Sequence, residues 1–118
     1  MGLSTHVLDT MHGCPAAGMP VRLYELAADG SLELLQSLRL NADGRNPAGP
    51  LIATESMKRG RFRLVFDVAG YFAAIGVSLP DPPFLTEVPL DFGIANLEQH
   101  YHVPLLCSPW SYSTYRGS

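Results

Sequence analysis

A chain of 118 residues has the length of one ordinary domain, spanning 1–118. Eleven Gly and ten Pro break its backbone too often for long helices, which excludes a helical bundle or coiled coil. With 47 % hydrophobic and 16 % charged residues it is too apolar for disorder, and eight basic residues against eleven acidic ones, net charge −3, leave no footprint for a nucleic-acid backbone.

In chain order, residues 4–9 form a short β-branched strand, closed by the turn signals Gly13, Pro15 and Gly18. A second strand is expected over 21–26, followed by the hairpin signal Asp29-Gly30. Residues 32–40 make a third, with Leu38 and Leu40 flanking Arg39. Residues 41–50 are polar and rich in Gly and Pro, hence a loop. Over 61–67, Phe62, Leu64 and Phe66 share one face of a strand and Arg63 and Asp67 the other. The densest basic stretch, Lys58-Arg59-Gly60-Arg61-Phe62-Arg63, reads as solvated positions at the strand entrance. Asp67 can cap one short helix carrying Tyr71, Phe72 and Ile75, with Gly76 near its end.

Three prolines make 78–83 irregular. The run 86–92 alternates again, and Pro89 within it points to an edge strand or a bulge. Residues 101–108 form a strand, Pro109-Trp110 turns the chain, and 112–116 closes it. Seven or eight strands with one helix suit an all-β sandwich of two sheets. No secretory leader pattern opens the sequence. The longest stretch without Asp, Glu, Lys or Arg, Gln99 to Tyr115, is too short and too polar to span a bilayer. Arg116-Gly117-Ser118 is not a peroxisomal address, so a cytoplasmic location is expected, with Cys14 and Cys107 reduced.

Four histidines carry the chemistry of interest. Period-2 geometry places His100 and His102 on one strand face and Tyr101, Val103 and Leu105 on the other. His6 shares the face of Ser4 and Leu8 in the first strand, and His12 sits in the turn after it. A His-x-His pair with His6 as third ligand is one way to hold zinc; packing or surface roles are the alternative. No Gly-x-Ser-x-Gly elbow, Gly-x-Gly-x-x-Gly or P-loop occurs, so no nucleotide cofactor has a visible seat. Arg45 lies in the turn-rich loop Asn41-Ala42-Asp43-Gly44-Arg45-Asn46, where its planar fork would suit an oxygen-rich anion. Aromatic and β-forming residues run almost to the C-terminus, so that end is packed rather than frayed.

Three stretches together resemble the 5-hydroxyisourate hydrolases, transthyretin-like enzymes of urate breakdown. They are Leu3-Ser4-Thr5-His6-Val7-Leu8-Asp9-Thr10, then Asp43-Gly44-Arg45, and then Tyr101-His102-Val103-Pro104-Leu105-Leu106 with the terminal Tyr112-Ser113-Thr114-Tyr115-Arg116-Gly117-Ser118. The resemblance covers essentially the whole chain, and the final Tyr-Arg-Gly-Ser is its most specific part. It implies two four-stranded sheets with one short helix, assembled as a homotetramer whose sites line a channel between dimers. It implies hydrolysis of a cyclic amide without metal or cofactor, on the small molecule 5-hydroxyisourate, giving 2-oxo-4-hydroxy-4-carboxy-5-ureidoimidazoline. The residues carried over are His6, Arg45, His102 and Ser118 for catalysis, with His6, Arg45 and Tyr115 binding the substrate. His6 and His102 would share the acid and base work, Arg45 would anchor the ring, and His100 falls outside the matched motif as a structural residue. Two rival readings remain: a transthyretin-like carrier of small aromatic ligands, and a metal hydrolase using His6, His100 and His102.

Overall fold

Alternation decides the first strand. In β1 (Leu3–Asp9), Leu3, Thr5, Val7 and Asp9 are buried while Ser4, His6 and Leu8 are only half-buried, so one face packs inward and the other faces out. A computed structural model describes residues 2–117 of the chain. After β1 come β2 (Cys14–Pro15), β3 (Pro20–Leu26), β4 (Leu32–Arg39), β5 (Gly60–Asp67), the helix α1 (Val68–Ala74), β6 (Glu87–Ile94), β7 (Tyr101–Cys107) and β8 (Tyr112–Thr114). A single 3-10 turn, Thr54–Ser56, lies in the connection before β5.

The strands form two four-stranded sheets in the orders β2-β1-β7-β8 and β4-β3-β5-β6. Their inner faces enclose a core that includes Val7, Leu23, Phe62, Phe66, Phe72 and Leu105. All pairings are antiparallel except β1 with β7, which run parallel in a register that sets Ser4 opposite His102 and His6 opposite Pro104. That pairing joins the two ends of the sequence, about a hundred residues apart, in adjacent strands.

Three details differ from the sequence reading. Residues Cys14–Pro15, expected as part of a turn, pair with the end of β1 as a two-residue strand and complete that sheet. The final strand ends at Thr114 rather than Arg116, but the chain returns alongside β7 at Gly117, which bridges His102. In the helix, Asp67 caps as expected by accepting from the Gly70 N–H at 2.9 Å, yet Ile75 stands at the exposed C-terminal end and Val68 takes the core position instead. A helix of only two turns keeps Tyr71, Phe72 and Val68 on the sheets, and its buried stripe ends before residue 75. Pro89 lies in β6, an edge strand, where a missing N–H costs no ladder bond on the outer side.

Candidate active site

The outer face of the β2-β1-β7-β8 sheet gathers the polar residues that an apolar core cannot hold. Because β1 and β7 are parallel and in register, Ser4, His6 and His102 emerge on that one face. Arg45 is brought there by the loop between β4 and β5, which folds back so that residue 45 bridges His6. The loop is held by Asn41. Its Oδ1 accepts from the N–H groups of Asp43 (2.9 Å) and Arg45 (3.1 Å), while the Gly44 carbonyl accepts from Val7 N at 2.9 Å. Gly44 has φ +72°, and a Cβ there would lie 2.5 Å from the Val7 carbonyl oxygen, so glycine alone fits this approach.

The C-terminal segment frames the other side. Gly117 donates its N–H to the His102 carbonyl at 2.8 Å, and a Cβ on Gly117 would meet the His102 ring at 2.8 Å. Arg116 packs on Tyr101: its guanidinium sits 4.2 Å from the Tyr101 ring centroid and donates to Gln99 Oε1 and the His100 carbonyl. Tyr115 is 61 % exposed and makes no hydrogen bond to another described residue, so within one chain it is not drawn to the histidines. Ser118 lies outside the described residues.

Two groups that the sequence reading did not place in the site belong to its geometry. The Ser4 hydroxyl lies 2.8 Å from His102 Nδ1 and 3.1 Å from His100 Nε2. The rings of His100 and His102 lie nearly parallel, with centroids 6.4 Å apart. Period-2 spacing already placed both histidines on one face, but their common partner on a distant strand needed the β1–β7 register.

Burial and nearby charge both favour the neutral form of the two central imidazoles. Burial, then the positive Arg45, hold His6 below its usual value; a hydrogen bond to the Asp43 backbone and the Asp43 charge oppose them. His102 is lowered by burial, then by Arg45, His100 and His6. Neutral imidazoles beside a guanidinium can take a proton from water, donate a hydrogen bond to a carbonyl and stabilise a developing oxyanion. Among the described residues no three His, Cys, Asp or Glu side chains converge to hold a metal ion.

A cavity of about 370 Å³ opens at a different place, lined by Leu90, Phe92, Tyr101, Val103, Tyr115 and Arg116 where β6 and β8 leave the sandwich open. Its lining mixes buried residues with exposed ones and includes neither His6, Arg45 nor His102.

Comparison with known proteins finds relatives over nearly the whole chain. The chain is 52 % identical to 5-hydroxyisourate hydrolase 2 of Rhizobium meliloti, over 98 % of this chain and 95 % of that one. It is 50 % identical to 5-hydroxyisourate hydrolase of Pseudomonas aeruginosa, over 98 % and 90 % of the two chains. Among solved structures, sea bream transthyretin in complex with thyroxine superposes with a TM-score of 0.84 at 28 % identity, covering 99 % of this chain and 95 % of that one. The profile of the HIUase/Transthyretin family matches residues 3–117, nearly the whole sandwich with both histidine strands and the Arg45 loop, and the chain belongs to that family.

Proposed function

We propose that the chain, acting as a single domain, hydrolyses 5-hydroxyisourate in urate breakdown, by His-assisted attack of water on a cyclic amide carbonyl. The observation that carries this reading is the gathering of His6, Arg45 and His102 on one sheet face through the β1–β7 register and the β4–β5 loop. Relatives about half identical to the chain bear the hydrolase name, while the thyroxine-binding transthyretin structure is 28 % identical, which favours hydrolase over carrier. Ring opening needs a proton removed from water and a proton delivered to the leaving nitrogen, work that neutral imidazoles perform near neutral pH. His6 and His102 are the two imidazoles on this face available for it. Arg45 anchors the polar ring and stabilises charge on the attacked carbonyl oxygen. Tyr115 and Ser118 complete the substrate seat with hydrogen bonds once a second copy of the chain closes over the site, as part of a homotetramer. The unpaired thiols Cys14 and Cys107 fit a reducing compartment, so we place the activity in the cytoplasm.

The test follows the absorbance of freshly generated 5-hydroxyisourate with and without the protein. The expected result is rapid decay, unchanged by chelators, and losses of about a hundredfold or more for His6→Ala, Arg45→Ala and His102→Ala in proteins that remain assembled. Decay at the spontaneous rate would leave the carrier reading in place. Loss of activity on chelation would favour the metal reading.

A further inference from the structure

The Ser4 hydroxyl has one proton and stands between two imidazoles, 2.8 Å from His102 Nδ1 and 3.1 Å from His100 Nε2. It can donate to one ring and accept from the other, so only two orderings exist for neutral rings. In the first, His100 Nε2–H donates to Ser4, and Ser4 donates to His102 Nδ1. In the second, His102 Nδ1–H donates to Ser4, and Ser4 donates to His100 Nε2.

The other nitrogen of His100 separates the two. His100 Nδ1 is buried and has no hydrogen-bond partner among the described residues. The second ordering puts the His100 proton on this atom and strands a buried donor. A charged His100 would strand the same proton. The first ordering leaves only an unused lone pair there, the milder defect. The bond lengths agree with it: O–H donors make shorter bonds than N–H donors, and the shorter contact is the one to His102.

We propose that Ser4 and His100 are positioning residues that hold His102 in the tautomer bearing its proton on Nε2. The inference rests on the hydrolase reading for its consequence, though not for its geometry. A neutral His102 with Nε2 protonated can donate a hydrogen bond to the substrate carbonyl, but it has no free lone pair at that atom to accept a proton from water. The proton work therefore passes to His6. Water's oxygen bonds to the carbonyl carbon as one of its protons moves to His6. The carbon–nitrogen bond then breaks as His6 returns that proton to the leaving nitrogen, and the new carboxylic acid ionises. Throughout, His102 and Arg45 face the oxygen on which charge develops. Burial, then the Arg45 charge, act on His102 against its protonation and favour the neutral form that this tautomer requires.

Long-range proton–nitrogen NMR of the ring nitrogens tests this in the intact protein, with no substrate present. The expected spectrum shows a bare Nδ1 and a protonated Nε2 on His102 near neutral pH, with a shift toward mixed tautomers in Ser4→Ala. A protonated Nδ1 in the unmodified protein overturns the proposal. Kinetics supply the second readout. Ser4→Ala should lower kcat about tenfold or more with little change in KM, since it disturbs a tautomer rather than a binding contact. Ser4→Thr keeps the hydroxyl on a residue suited to a strand and should restore most of kcat. His100→Gln, which keeps a donor near the Nε2 position, should outperform His100→Ala. Equal kcat in Ser4→Ala and the unmodified protein would also overturn the proposal. If the protein failed to open 5-hydroxyisourate while the spectrum showed Nε2–H, the hydrolase reading would fall and the positioning of His102 would stand.

Discussion

Arg45 sits within the electrostatic reach of both His6 and His102, and its charge is the second cause, after burial, that lowers each imidazole. The working form of a base is the unprotonated one. A lowered pKa therefore keeps the site active as pH falls below the ordinary histidine value, about 6.5. Removing the guanidinium removes that protection. Arg45→Gln should move the acid limb of the kcat/KM profile to higher pH, and should also lower kcat by about 10²–10³ through loss of oxyanion stabilisation. A profile with its acid limb unmoved would mean that Arg45 acts only as an anchor. At this scale the sequence spoke well for some residues and poorly for others. His6, Arg45 and His102 stood out because each sits in a short motif with the hydrolase pattern. Ser4 did not, because a serine on a strand means nothing until its partner is known, and that partner is 98 residues away. In the sequence His100 reads as structural because it falls one step outside the matched motif.

Asp9 shows how an element end can carry more than its spacing reveals. Residue 9 lies on the inner face of β1, and nothing in the sequence reading announced that a carboxylate would be accommodated in the core. Its side chain is fully buried, held 2.7 Å from His12 Nδ1, 2.8 Å from the Tyr71 hydroxyl and 2.9 Å from the His12 N–H. These bonds tie β1, the following turn and α1 together. Burial alone would push the carboxyl up; the hydrogen bonds from His12 and Tyr71 and the His12 charge outweigh it, so the net direction is down. A carboxylate whose folded pKa lies below its unfolded value stabilises the fold above about pH 4, and that stability is lost as pH falls through the folded value. Asp9→Asn should cost about 1–3 kcal/mol at neutral pH and flatten the acid side of the stability curve. Denaturant unfolding across pH checks both; an unchanged midpoint would show that the network contributes nothing net. Other elements were legible to different depths. The strands with clean alternation, such as β5, emerged with almost their full bounds. The two-residue β2 did not, since its strand character comes from pairing with β1 rather than from its own residues.

A single chain leaves its proposed site on an open sheet face. His6 and His102 are only half-buried, and Arg45 and Tyr115 are exposed. Attraction between a guanidinium and a developing oxyanion is weak when water can enter between them, and strong when it is excluded. The fold also ends in open strand edges at β8 and β6, and exposed Trp110 and Tyr115 flank the C-terminal side of the site sheet. A small sandwich thus supplies the proposed catalytic groups but not the walls, which is the physical argument for the homotetramer proposed above. The sequence could carry this proposal only by resemblance, because a closing surface contributed by another copy would leave no periodic trace in one chain. The consequence is a dependence on concentration. Specific ring-opening activity should stay constant on dilution while light scattering reports the tetramer, and fall by about tenfold or more as the subunits separate. Activity that survived complete dissociation unchanged would overturn the shared site, because a site completed within one chain has no reason to respond to protein concentration.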